Sequence, residues 1–249
     1  MARLDQQNAP GANVGPPVAD LCRRAVDLCR SVAPDDLAGL PLYVLAQSMI
    51  RDTLGEARQT YGYTLGRLDL ILRDQIGPAW QGRGPCIVCN DLAMHEDLGP
   101  FLTPTLLATA LHELAHVLER GMTFEDQPEV CPDRLTFDGL VVAHAMNEPV
   151  PVTHARQRFF QHDDRFLRAI LHLRHRAALL GVHLAPNMIV PDTPPMLWSL
   201  SRYRIALDDE PDRLRDMPIR TILSMDPPAD FARLWADDLA HLSREEKTP

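Results

Sequence analysis

Two histidines and a glutamate form the pattern in this chain that points most directly to a chemistry. The segment His112-Glu113-Leu114-Ala115-His116 has a histidine at each end, four positions apart. On a helix such residues lie one turn above each other, so both imidazoles can bind one metal ion. The glutamate then lies beside the open coordination position, where it can take a proton from a water molecule. This pattern is typical of zinc-dependent hydrolysis of peptide bonds.

The residues around this pattern predict a helix from Pro104 to Arg120. Leucines recur there at helical spacing and form one apolar stripe, made of Leu107, Leu111, Leu114 and Leu118. The alternative is a buried helix that carries two histidines by chance. We expect the metal site.

A third ligand must come from another part of the chain, because a catalytic zinc usually has three protein ligands and one open position. The candidates after the motif are His144, Glu148, His154 and His162. His162 is favoured because it lies one turn before Phe166, on the apolar face of a helix predicted from about Asp163 to Leu180. His144 also follows apolar residues at helical spacing, and Glu148 would complete a two-histidine, one-glutamate site. Both therefore remain open.

The opposite face of that later helix is predicted to be solvated. It carries Arg165, Arg168, His172 and Arg176, with His175 beside them. We expect these two histidines to be surface residues that bind no metal. Asp163 and Asp164, at the start of the helix, suit the positive end of its dipole and are expected to support His162.

The stretch from Ala108 to Leu118 resembles the active-site helix of zincin metallopeptidases. The segment His162–Phe166, with its His-x-x-x-Phe spacing, is similar to the third-ligand segment of SprT-like proteins. The resemblance implies a zincin-like domain that binds Zn²⁺ through His112, His116 and His162. It also implies that Glu113 is the general base.

Zincins commonly have a strand before the active-site helix that borders the cleft and pairs with extended substrate. By this resemblance, Cys86–Asn90 is the candidate strand. Tyr203 or an arginine is a possible donor to the oxyanion.

The alternative function is a non-catalytic zincin-like module that binds metal and partners. Glu113 argues against it, because metal ligation alone requires no carboxylate at that position.

The cysteines allow two other interpretations. Cys86, Cys89 and Cys131 could form a structural zinc site with His95, although two cysteines alternating on a strand are the simpler explanation. Cys89 could be the third ligand, as in peptide deformylases, but the Glu-Gly-Cys-Leu segment of those enzymes is absent. Five cysteines, an odd number, without an export signal predict reduced thiols and a cytoplasmic location.

Composition limits the partners. The net charge of −9 argues against general nucleic-acid binding, which depends on Lys and Arg. No apolar run is long enough to cross a membrane. The expected partner is a protein or peptide substrate.

The fold class predicted from 249 residues, of which 45% are hydrophobic and few are aromatic, is α+β and mainly helical. Residues 1–17 are predicted to be a disordered tail. We expect a zincin-like metallopeptidase domain with a small sheet over 18–185, and a helical C-terminal extension packed on it over 186–249. The predicted helices besides those named above cover 18–32, Pro41 to Ile50, 65–76, 134–146 and 230–243.

Overall fold

The computed structural model describes residues 17–50, 61–64, 68–98, 101–119, 162–185 and 194–245. Helices dominate these residues, beside one three-stranded sheet, which confirms the α+β prediction. The strands are β1 (Tyr43–Ala46), β2 (Gly62–Thr64) and β3 (Cys86–Cys89). The helices are α1 (Val18–Val32), α2 (Leu68–Ile71), α3 (Arg73–Ile76), α4 (Asp91–Leu98), α5 (Leu102–Glu119), α6 (Asp164–Leu179), α7 (Pro194–Ala206), α8 (Glu210–Arg213), α9 (Ile219–Ser224) and α10 (Ala229–Glu245). The predicted tail up to residue 16 and the predicted helix over 134–146 lie outside the described residues.

Strand β3 lies in the centre of the sheet. It pairs in parallel with β1, in a register that puts Tyr43 opposite Cys86, and antiparallel with β2, with Gly62 opposite Cys89. All four of its residues are buried, as expected for a short apolar run enclosed on both faces. The prediction that Cys86–Asn90 pairs with substrate is wrong, because both edges of this strand already hydrogen-bond to neighbours. Among the described strands, β1 and β2 lie at the two edges.

The predicted helix from Pro41 to Ile50 is also wrong. Strand β1 takes the middle of this segment, and the amide of Tyr43 donates to the carbonyl of Pro85 at 2.9 Å just before β3 begins. A short apolar run fits a buried strand as well as a helix, and periodicity cannot separate the two. Pairing with β3 decides the outcome.

The sheet is covered on both faces. Helices α1 and α5 pack on the face that carries Val44, Ile87 and Cys89. The other face, with Tyr43 and Val88, packs against the short helices α2 and α3. Helix α5 is buried around nearly its whole circumference and therefore forms the central helix of the core.

Helix α6 lies between two layers. One side packs on α5 and α1, while α8 and α9 cover the opposite side. The prediction that this opposite side is solvated is wrong for Arg168, His172 and Arg176, which are only 3%, 0% and 8% exposed. The chain after residue 194 covers these polar groups and supplies hydrogen-bond partners for them. The prediction holds for Arg165, which is exposed.

In the part of the chain that the structure describes, no helix has both the length and the apolar character needed to span a membrane.

Candidate metal centre

Helix α5 holds three of the predicted site residues in one rigid element. It runs from Leu102 to Glu119, close to the predicted bounds, and its buried apolar residues fix its rotation against the sheet and α6. Glu113 and His116 are buried, and His112 is half-buried at the same surface. The rings of the two histidines are 5.0 Å apart between centroids, as expected for a spacing of four on a helix.

The third histidine, His162, lies just before α6. The helix starts at Asp164, and the Asp163 carboxylate accepts a hydrogen bond from the amide of Phe166 at 2.9 Å, which caps it. Burial raises the pKa of Asp163, while this hydrogen bond opposes the shift. The Arg165 guanidinium donates to the carbonyl of Glu119 at 3.3 Å, which joins the start of α6 to the end of α5. The cap at the start of α6 and the hydrogen bond to the end of α5 therefore hold the segment of His162 beside the motif.

The three histidines converge. One ring nitrogen from each of His112, His116 and His162 lies within 4.8 Å of the others. The Nε2 atoms of His112 and His162 are 3.1 Å apart, and the ring of His162 lies 4.9 and 5.1 Å from the other two rings. The structure thus brings together the three residues that the sequence predicts to be metal ligands, from segments 50 positions apart.

This donor set fits a divalent zinc ion. Zinc in proteins binds imidazole nitrogens at about 2.0–2.1 Å in a tetrahedron, which separates neighbouring ligand atoms by about 3.3 Å. The 3.1 Å between the Nε2 atoms of His112 and His162 is close to that value. Three imidazoles leave one tetrahedral position open, which is the arrangement of catalytic sites.

Two further residues, Phe166 and Glu119, lie against the three histidines. The ring of Phe166 packs against all three imidazoles, at 4.4 to 4.9 Å between centroids, and is fully buried. The Glu119 carboxylate lies 3.6 Å from Nδ1 of His116. A carboxylate there favours a proton on Nδ1 and leaves Nε2 as the metal-binding atom. Glu119 is not among the predicted site residues, although its spacing of three from His116 puts it on the same helix face.

Glu113 points between α5 and the sheet. An ideal Cβ built on Gly62, in β2, would lie 3.2 Å from Oε1 of Glu113. The carboxylate therefore lies against the backbone of the edge strand, on the same helix as the two histidine ligands.

The rival ligands fall into two groups. His144, Glu148 and His154 lie outside the described residues. Cys89 is described, but it belongs to no metal-ligand cluster among the residues the structure describes. Burial, and then its neighbours Cys22 and Glu113, raise the pKa of the Cys89 thiol, which keeps it protonated.

The Cys86 and Cys89 side chains lie on opposite faces of the sheet. Cys86 packs in the cluster with Tyr43, while Cys89 packs in the core beside α5. The two thiols cannot bind one ion from these positions, which supports the simpler strand interpretation. The third proposed cysteine, Cys131, lies outside the described residues.

Tyr203 has a partner of its own in the C-terminal region. Its hydroxyl donates to Asp238 at 2.9 Å, and its ring packs against Phe231 and Trp235. The predicted oxyanion role has no support in these contacts.

No described protein family, no curated protein and no solved structure matches this chain. Its function must therefore be inferred from the chemistry of the site itself.

Proposed function

We propose that this protein is a zinc-dependent metallopeptidase of zincin-like fold. In this proposal His112, His116 and His162 bind the ion, Glu113 is the general base, and the substrate is a protein or peptide. The observation that carries the proposal is the convergence of three imidazoles from two separate segments, with ring nitrogens within 4.8 Å, next to an acid at the position after His112 on α5.

The acid distinguishes a hydrolase from a site that only binds metal. A buried carboxylate has a large desolvation cost, and ligation by three neutral imidazoles does not need it. Glu113 is only 6% exposed and lies against β2. A general base for water must be held at such a fixed place near the reacting atoms.

A zinc ion held by the three histidines would supply Lewis acidity for the scissile carbonyl and would lower the pKa of water towards neutral pH. Glu113 accepts the proton of the attacking water and then donates it to the leaving amine. Glu119 keeps the His116 ring oriented, and Phe166 excludes solvent from the inner side of the three rings.

The test combines metal content with a substitution of the acid. We expect about one zinc per chain in the wild-type protein and in Glu113→Gln, because the amide leaves the three imidazoles unchanged. An unfolded protein such as casein should be cleaved by the wild type, and at least about a hundredfold more slowly by Glu113→Gln.

His183→Ala is the matched control, since this histidine is exposed after the end of α6. It should keep both zinc and activity. Equal cleavage by wild type and Glu113→Gln would remove the acid from its proposed role. Zinc binding without any cleavage by the wild type would favour a metal-binding interaction module instead.

A further inference from the structure

The position of Gly62 is unusual for a strand residue next to a core helix. Its neighbour Tyr63 points into the cluster on the far face of the sheet, so alternation directs position 62 towards α5. Gly62 is not among the glycines with positive φ, and the backbone therefore gives no conformational reason for a glycine. The reason must lie in what a side chain would meet.

A Cβ at position 62 would meet two side chains of α5. It would overlap the Cγ2 methyl of Thr109, and it would lie 3.2 Å from Oε1 of Glu113 and from the carbonyl oxygen of Val88. Thr109 and Glu113 are one turn apart on the helix, so both face the same stretch of β2. The missing side chain lets the strand and the helix approach each other at the level of the acid.

We propose that Gly62 is the positioning residue that sets where the Glu113 carboxylate lies. Because Gly62 has no side chain, the Glu113 carboxylate can lie close to the strand backbone, where the Cβ of any other residue would crowd it. A side chain there displaces the carboxylate away from β2 by a few tenths of an ångström or more. This inference rests on the proposed function only for its effect on catalysis.

Two substitutions separate packing from positioning. Gly62→Ala introduces both the overlap with Thr109 and the close contact with Glu113. Thr109→Ser removes the Cγ2 methyl, so the double variant Gly62→Ala/Thr109→Ser keeps only the contact with Glu113 and the Val88 carbonyl. We expect the double variant to recover the zinc affinity of Thr109→Ser and most of its thermal midpoint, with a small remaining loss from the contact with Glu113. Its kcat should stay about tenfold to a hundredfold lower, with KM little changed. Recovery of kcat together with stability would overturn the inference, because packing alone would then explain the glycine.

Gly84→Ala is the control for backbone crowding elsewhere. Its Cβ would overlap the carbonyl of Pro41. Gly84 lies just before the start of β3, whereas Gly62 lies opposite Cys89 at the end of that strand. We expect a lower thermal midpoint but an unchanged kcat per folded, zinc-loaded molecule. A loss of kcat equal to that of Gly62→Ala/Thr109→Ser would show that any crowding of the sheet has this effect, and would overturn the inference.

A second readout does not depend on activity. In the Thr109→Ser background, Gly62→Ala should lower the thermal midpoint clearly less when Glu113 is replaced by alanine, because the crowded carboxylate is gone. Equal shifts with and without Glu113 would contradict the contact. If the zinc-loaded wild type cleaves no peptide bond, the proposed function fails, while this comparison still decides whether Gly62 sets the position of Glu113.

Discussion

Histidines lie at two places along α6, next to its start and further along it, and the two environments differ in kind. At its start, His162 lies with His112 and His116, three imidazoles whose ring nitrogens face one another within 4.8 Å. Further along, His172 is fully buried and its Nε2 lies 2.8 Å from the Glu210 carboxylate. The first place gathers lone-pair donors, and the second pairs a histidine with an acid.

The second place is a buried polar network. Arg168 binds both oxygens of Glu210 at 2.9 Å and also donates to the carbonyl of Met225 at 2.7 Å. Burial would raise the pKa of Glu210, but hydrogen bonds from His172 and Arg168 lower it overall. The charges are compensated within the protein, so no ion is needed. Burial of histidine alone is therefore no sign of a metal site, whereas convergence of several imidazoles points to one.

The largest expected effect comes from substituting His162, with a substitution of His172 as the comparison. His162→Ala should lower zinc affinity by more than about a hundredfold, because even residues that only orient ligands contribute 10- to 100-fold. His172→Gln should bind zinc as the wild type does, since its amide nitrogen can replace Nε2–H towards Glu210. Competition with a chromophoric chelator measures both. Zinc retained by His162→Ala would move the third ligand to His144 or Glu148.

The next effect concerns stability rather than metal. Glu210→Ala leaves the buried Arg168 without its acid and should reduce the free energy of unfolding by about 3–5 kcal/mol. The folded variant should still bind zinc. Urea denaturation of the zinc-free protein measures the change, and Asp230→Ala is the control. Its partner Arg233 is exposed, so that change should stay within about 1 kcal/mol. A cost for Glu210→Ala as small as the control would show that the buried network contributes little.

The convergence of the three histidines could be predicted from the sequence because it depends on local spacing. The positions of His112 and His116 are fixed by helical geometry, and the phase of the following helix correctly brought His162 to the inner side. The helices over 18–32 and from about Asp163 to Leu180 have nearly the predicted bounds for the same reason. Amphipathic spacing over several turns is the strongest such signal.

The wrong predictions concern which segments pack against a given face or strand edge. The period of α6 separates two faces, but no local pattern tells that Glu210 returns from the C-terminal region to cover the polar one. The short run at Val44 lacked the length that distinguishes helix from strand. Likewise, the pattern around Cys86 predicted a strand without predicting that neighbours would occupy both of its edges. Long-range pairing decides each of these cases.

The smallest expected effect is the pH dependence of stability that arises from His172. Burial lowers the pKa of His172 below its ordinary value of 6.5, as do Arg176 and Arg168, against the opposing effect of Glu210. The folded protein therefore binds fewer protons at this group than the unfolded chain, so stability present above pH 6.5 is lost as the pH falls. Zinc-free wild type should lose about 1 kcal/mol more than His172→Gln between pH 7.5 and about 5.5. The three clustered histidines are present in both proteins, so the difference between their urea unfolding at each pH isolates His172. Parallel pH profiles would mean that folding leaves the pKa of His172 unchanged and would contradict the lowered value.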